Sequence, residues 1–241
     1  MAYIIISLFI LAGMCALIES HIQDNQKNQL MLFFLVPLVL TAGLREVGLD
    51  PDSENYEMVY RNYYTATATG NTEFTYVLLS AFLNLFTNDV HILFILYAIM
   101  GVGLKLLAIR KTTEFTFLSL AIYISFYFCV HEMTQIRTGV LSGMFLLSLT
   151  LIAEEKRKWA LFLILAGSCF HVSGLALIPL LLLNNKELKG KRKIFWCCVI
   201  PAGYVIYFIG VGVMMMLDIP FIGAKLANYQ QAEDTLSLIH I

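Results

Sequence analysis

The chain has 241 residues, of which 59% are hydrophobic and 14% charged, and its mean hydropathy is +0.76. Soluble domains carry about 25% charged residues, so this composition excludes a water-soluble globular protein and indicates a membrane protein. Sixteen basic and seventeen acidic residues give a net charge of −1, which provides no overall attraction to nucleic acid. The five cysteines lie in apolar stretches without metal-ligand spacing, and we expect no metal and no other cofactor.

The apolar stretches, taken in chain order, predict an all-α polytopic membrane protein with one integral membrane domain over residues 1–235. A helix needs about 20 mostly apolar residues to cross the hydrocarbon core. The predicted full crossings are 3–18, 30–44, 91–109, 115–130, 136–153 and 194–217. Residues 74–86 are too few for a crossing and predict a short helix at the outer interface. Residues 159–183 are long and interrupted by small and polar residues, and they predict a re-entrant hairpin.

Lysine and arginine favour short cytoplasmic loops, and their distribution gives the predicted orientation. Three basic clusters are placed inside: Lys105 with Arg110 and Lys111, residues 156–158, and residues 186–193. The stretch 45–73 carries six acids and two bases, and we place this loop outside. Because the second and third clusters both lie inside, the apolar stretch between them must enter and leave the membrane on the inner side. This requirement predicts the hairpin, whose apex we place around His171.

Five residues that could carry chemistry converge on the predicted outer side, although they come from four separate segments. They are Arg45, Asp50, Arg61, Arg137 and His171. Arginine binds phosphate through paired hydrogen bonds and stays charged at physiological pH, so a pocket of this kind indicates a phosphorylated or carboxylated lipid. A carboxylate or imidazole nearby would accept the proton of a hydroxyl nucleophile.

Each of these candidates also has a structural alternative. Arg137 fits an anchor whose side chain reaches the lipid headgroups, and Arg45 fits the same role or a partner for Glu46. His171 fits a neutral histidine that is hydrogen-bonded inside the bundle. The acidic run at residues 50–54 fits a solvated loop better than a divalent-cation site.

An ordered set of short motifs resembles the EpsG family, which comprises bacterial Wzy-like polymerases of O-antigen, capsule and exopolysaccharide. The motifs are Arg45-Glu-Val-Gly48-Leu-Asp50 with Tyr56 downstream, Glu73-Phe74, Gln135-Ile-Arg137-Thr-Gly139, and Phe170-His171-Val-Ser173-Gly174. Each motif is weak alone, and the order makes the resemblance specific over residues 45–193. One departure is Thr138, where many members carry glutamine.

The resemblance implies glycosyl transfer at the outer face of the bacterial inner membrane. A glycan on undecaprenyl diphosphate is the donor, and a repeat unit on the same carrier is the acceptor. Arg45 and Arg137 would hold the diphosphate, and Asp50 or His171 would be the catalytic base. The predicted substrate-binding set also includes Gly48, Tyr56 and Gln135 of these motifs, together with Arg61 from the outer-side group. Besides the lipid-linked oligosaccharide and membrane lipid, the expected partners are chain-length regulators and flippases.

Two other classes remain open at this point, a membrane acyltransferase or glycan ligase and a flippase or transporter of lipid-linked oligosaccharides. A flippase predicts charged residues along a path between both faces, and the predicted helix interiors carry almost none. Residues 236–241 match the translation of a transposon end used in preparing sequencing libraries. We expect them to be a non-native tail on a C-terminally truncated fragment.

The predicted orientation is testable by cysteine labelling. In a variant without the native cysteines, a cysteine at Glu54 or His131 should react with an impermeant maleimide added outside. A cysteine at Lys111, Lys156 or Lys191 should react only after the membrane is opened. Labelling of position 191 from outside would contradict the hairpin, because 159–183 would then be a simple crossing.

Overall fold

The computed structural model describes residues 1–65, 73–183, 189–191, 193–199, 201–203 and 205. The chain divides into two compact units, residues 1–184 and residues 185–241. In the second unit, residues 193–199 and 201–203 are helical. Most of the predicted crossing 194–217, and all of the expected tail 236–241, lie outside the described residues.

The regular elements described in the first unit are all helical. The α-helices are α1 (Ala2–Leu17), α2 (Asp24–Gly43), α3 (Ser53–Arg61), α4 (Phe74–Asn84), α5 (His91–Thr112), α6 (Thr116–Ile122), α7 (Ile136–Ala153) and α8 (Arg157–Phe170). A π-helix (Tyr123–Glu132) continues α6, and short 3-10 helices cover Glu19–His21 and Val172–Leu182.

The described helices confirm the all-helical class but not the number of crossings. Only α5 and α7, with 22 and 18 residues, are both long and apolar enough to cross a membrane within the described part of the chain. Helix α1 has 16 residues, and the polar residues at the start of α2 lower the mean hydropathy of that helix. Six crossings therefore remain a prediction.

Two predicted segments differ in detail from the structure. The outer loop 45–73 contains α3, which forms because Tyr56 and Tyr60 face the interior one turn apart while the charged Glu54 and Arg61 are exposed. The predicted short helix at 74–86 is present as α4.

The stretch 159–183 turns back on itself. Helix α8 ends at Phe170, His171 has an extended backbone, and the following 3-10 helix packs against α8. An Nη2–H of Arg157 donates to the carbonyl oxygen of Leu183 at 3.3 Å, so the two ends of the stretch lie side by side. The chain thus forms the predicted reversal, and the depth of this reversal in a membrane remains a prediction.

Helix α5 packs against both α2 and α7 through close backbone approaches. A Cβ atom on Gly43 in α2 would lie only 2.9 Å from the Cα atom of Ile95 in α5. A Cβ atom on Gly143 in α7 would lie 2.7 Å from the Cβ atom of Leu104. Small residues allow such close helix packing, which is a main source of stability within a membrane.

The helix ends gather at two ends of this unit. The first, here named the loop end, contains Arg45, Glu73, His91 and Arg137; the imidazole Nε2 of His91 lies 3.1 Å from the carbonyl oxygen of Arg45. The second, here named the basic end, contains Asp24, Lys27, Arg110 and Lys111; Arg110 pairs with Asp24 at 3.3 Å. The predicted outer residues therefore lie at a common end of the unit.

Glu19 stabilises the basic end. Its buried carboxylate accepts hydrogen bonds from the backbone N–H groups of Thr116 (2.6 Å) and Phe117 (3.1 Å). These N–H groups begin α6 and have no partner within the helix, and a negative charge is favourable at this position. Lys27 lies 3.2 Å from the same carboxylate. The connection between α1 and α2 is thus attached to the start of α6.

The assignment of Lys105 to an inner basic cluster is wrong. Its side chain is 4% exposed, forms an ion pair with Glu132, and donates to the carbonyl oxygen of Gly139 at 2.7 Å. A lysine that finds a carboxylate inside the bundle has no need to extend to the headgroups. Arg110 and Lys111 remain as the cluster at the basic end.

Replacing Gly43 tests the close contact of α2 with α5. Gly43→Ala should lower the melting temperature in detergent, because the added methyl group displaces the Ile95 backbone at a cost of about 1–3 kcal/mol. Gly103→Ala is the matched control, since a Cβ atom there meets nothing within 4 Å and alanine favours a helix over glycine by roughly 1 kcal/mol. Equal melting temperatures for the two variants would contradict the contact.

Candidate functional site

Arg137 lies in the first turn of α7 at the loop end, with 23% of its side chain exposed. Its Nη1–H donates to the carboxylate of Glu73, the residue that precedes α4. The guanidinium carbon lies 5.5 Å from the ring centre of Tyr56 and 5.8 Å from that of Tyr76. Because arginine binds both carboxylates and aromatic faces, residues of two segments, α3 and the start of α4, hold this group in one place.

One donor of Arg137 is left over by this arrangement. Its Nε–H is buried and has no hydrogen-bond partner among the residues that the structure describes. A buried N–H without a partner costs free energy. Arg137 combines this incompletely satisfied guanidinium with partial exposure, and its exposed part can contact a ligand.

An aromatic cluster supports Arg137. The ring centres of Tyr56 and Tyr76 are 5.6 Å apart, those of Tyr76 and Tyr97 are 6.0 Å apart, and Phe170 lies 6.0 Å from Tyr97. The hydroxyl group of Tyr76 donates to the carbonyl oxygen of Tyr56 at 2.7 Å. The cluster joins α3, α4 and α5 to the end of α8 and so fixes the position of the hairpin apex.

Arg45, by contrast, is fully buried. Its Nε–H donates to Asp50 at 3.0 Å, an Nη1–H donates to the carbonyl oxygen of Ala42 at 2.8 Å, and the guanidinium lies 4.0 Å from the ring centre of Phe94. Burial lowers the pKa of Arg45 while Asp50 raises it, and the guanidinium stays protonated. In this structure Arg45 therefore acts on Asp50 and does not reach the surface.

A tight turn places Asp50 beside Arg45. Gly48 has φ +91, a conformation that glycine adopts without a steric penalty. Its N–H donates to the hydroxyl oxygen of Ser53 at 2.8 Å, and that hydroxyl donates to the carbonyl oxygen of Asp50 at 3.0 Å. The carboxylate of Asp50 also accepts from the N–H of Asp52 at 3.1 Å. Both oxygens of Asp50 are thus engaged, and Gly48 contributes through its backbone.

Asp52 lies near the two arginines and is a second carboxylate of this turn. Burial, together with the charge of Asp50, raises the pKa of Asp52, whereas Arg137 and Arg45 lower it. A carboxylate with a raised pKa is a better proton acceptor near neutral pH. Burial also raises the pKa of Tyr56, so its hydroxyl group remains protonated.

Two predicted site residues lie at the surface. The side chain of Arg61 is 60% exposed and pairs with Glu57 one turn earlier in α3, at 2.6 Å. It does not join Arg45 and Arg137. Gln135 is exposed, and its carbonyl oxygen accepts from the N–H of Gly139 at 2.8 Å, so it begins α7 beside Arg137.

His171 is half-buried at the apex of the hairpin. Its Nδ1 accepts a hydrogen bond from the N–H of Ser173 at 3.3 Å, which assigns the proton of a neutral imidazole to Nε2. The adjacent carbonyl of Cys169 accepts from the hydroxyl group of Thr75 at 2.6 Å. The apex therefore packs against the start of α4, the same segment whose Glu73 holds Arg137.

The sequence alone gave no role to Glu73, Tyr76 or Asp52 at this site. Glu73 belongs to one of the motifs, but nothing in a single sequence pairs it with a residue 64 positions later. The usable signal for Asp52 was its spacing from Asp50, since the two carboxylates flank Pro51 in one turn. Tyr76 gave only the pattern of an apolar helix.

The comparisons with known proteins agree with the motifs. The family model described as the EpsG family matches residues 28–237. No curated protein and no solved structure matches the chain. Since the family model covers most of its length, the chain belongs to the EpsG family.

Proposed function

We propose that the protein polymerises glycan repeat units carried on undecaprenyl diphosphate, at the outer face of the bacterial inner membrane. Membership of the EpsG family indicates a polymerase-like glycosyltransferase of polysaccharide biosynthesis. The apolar helices α5 and α7 indicate a membrane protein. The identity of the lipid carrier and the location of transfer at the outer face go beyond what family membership indicates, and they are part of this proposal.

The observation that carries the proposal is the setting of Arg137. A guanidinium that lies over two neighbouring tyrosine rings and is oriented by Glu73 has lost most of its freedom before a ligand arrives. Little entropy is then lost on binding. The exposed part of the guanidinium offers a diphosphate oxygen a charge-assisted hydrogen bond. In this proposal the donor sits where negative charge develops as the glycosidic bond to the diphosphate breaks.

The other residues then take distinct roles. Arg45 positions Asp50 from within the protein, and the turn presents Asp52 toward the two arginines. Either carboxylate would accept the proton of the acceptor hydroxyl group, and the raised pKa of Asp52 favours Asp52. The Nε2–H of His171 would donate a hydrogen bond to the departing diphosphate, because Ser173 occupies Nδ1. Gln135, exposed at the start of α7, would contact the glycan.

Substitution of Arg137 tests the proposal. Arg137→Ala should abolish polymer while the protein remains in the membrane, and Arg137→Lys should restore little of it. Lysine keeps the charge but loses both the planar stacking and the second N–H. The measurement is the ladder of glycan lengths that membranes produce from a lipid-linked repeat unit.

Arg157→Lys is the matched control, because Arg157 is exposed at the opposite end of α7 and α8 and should retain the wild-type ladder. Full activity in Arg137→Lys would favour the interfacial anchor. Transfer of a single glycan without a ladder would indicate a ligase, and movement of the lipid without any transfer would indicate a flippase.

His171 can be tested with two substitutions. His171→Ala should reduce turnover by about 10² to 10³, the range for loss of one hydrogen-bond donor to a developing negative charge. His171→Gln should retain much more activity, because glutamine still donates a hydrogen bond but takes up no proton. Loss of activity in both variants would make His171 a base and contradict the donor role. Wild-type turnover in both would leave only a structural role for His171.

A further inference from the structure

We propose that the buried ion pair of Lys105 and Glu132 is a positioning device that fixes Arg137 at the site. This inference rests on the proposed function for its consequence in catalysis, but its geometry stands on residues outside the site. Both side chains are buried, and Glu132 is the last residue of the π-helix that precedes α7.

Lys105 lies close to both ends of the π-helix. Its ammonium group pairs with Glu132, the last residue of the π-helix, and lies 5.8 Å from the ring centre of Tyr123, the first residue. The same group donates to the carbonyl oxygen of Gly139 in the first turn of α7, at 2.7 Å. One side chain of α5 thus bridges the end of the π-helix and the start of α7. Arg137 is two residues before Gly139.

The residues at the junction of the π-helix with α7 are closely packed. A Cβ atom on Gly139 would lie 2.9 Å from the carbonyl oxygen of His131, and one on Gly101 would lie 3.0 Å from the carboxylate of Glu132. His131 and Ser142 form a second link across the junction, with Nδ1 and Oγ 3.3 Å apart. A shift of the π-helix end would therefore move the first turn of α7.

Stability alone gives a poor explanation for this pair. Burying two charges is costly, and apolar residues of similar volume often replace a buried ion pair without loss of stability. The π-helix itself is a rare conformation that is frequently found at functional sites. A charged pair at its last residue supplies a defined geometry, because the ammonium group must meet both the carboxylate and the Gly139 carbonyl at once.

The test separates position from stability by removing both charges together. The double variant Lys105→Met/Glu132→Leu should insert into the membrane and have the wild-type melting temperature. The first turn of α7 should nevertheless adopt more than one conformation. A trifluoromethyl tag on a cysteine at the exposed Gln135, with the native cysteines replaced, reports this turn by fluorine NMR. The wild-type background should give one resonance, and the double variant should give several or a broadened one.

Two controls accompany the spectra. Arg110→Gln/Asp24→Asn removes an ion pair at the basic end and should leave the resonance unchanged. Arg137→Ala should also keep one resonance, because Arg137 is the residue being positioned. If the double variant is not recovered, Glu132→Gln keeps the volume and removes the charge. A wild-type resonance from a folded double variant, or from Glu132→Gln, overturns the inference.

Activity provides the second readout. In the untagged protein, the double variant should lower the rate of polymer formation by roughly 10²-fold, as a small misplacement of a positioning group does, while Arg110→Gln/Asp24→Asn keeps the wild-type rate. A normal rate in the double variant overturns the inference. If the wild type itself makes no polymer, the proposed function fails, and the fluorine spectra still decide whether the pair positions α7.

Discussion

The ion pair between Arg137 and Glu73 joins the segments that form the candidate site. It joins the start of α7 to the start of α4, two segments 64 residues apart. A guanidinium at the edge of an apolar bundle needs a partner to offset its lost hydration, and Glu73 supplies that partner without enclosing the arginine. The aromatic cluster, the hairpin apex and the turn of Asp50 are all arranged around this pair.

The two arginines of the loop end show how burial divides similar residues into different roles. Arg45 is enclosed by Phe94, Ala42 and Asp50, so its charge acts on the shape of a turn. Arg137 keeps part of its surface and a spare donor. Sequence position does not distinguish them, since both follow or begin a helix at the same end. The difference arises from which neighbours cover each side chain.

Composition and charge distribution were sufficient for the helical membrane class, and the placement of basic clusters led to the reversal around His171. The gathering of Arg45, Asp50 and Arg137 at one end also followed from the order of segments. The pairing of Arg137 with Glu73 did not follow from the sequence, because a contact between residues far apart in the chain leaves no trace in a single sequence. Lys105 was misplaced because counting basic residues cannot distinguish a lysine that reaches the headgroups from one that meets Glu132. Arg61 could have been separated from the site, since Glu57 stands one helical turn before it.

The pair of Lys105 and Glu132 has a consequence for how the protein enters the membrane. Lys105 is synthesised 27 residues before its partner, so α5 reaches the bilayer while its ammonium group still has no carboxylate to meet. A lysine in a lone helix costs up to about 2.5–3.5 kcal/mol on insertion, the value at the helix centre, and Lys105 lies in the second half of α5. Entry of residues 91–132 as one helical pair would reduce that cost, because Glu132 then accompanies Lys105. The order of synthesis thus couples the insertion of α5 to that of the segment that follows it.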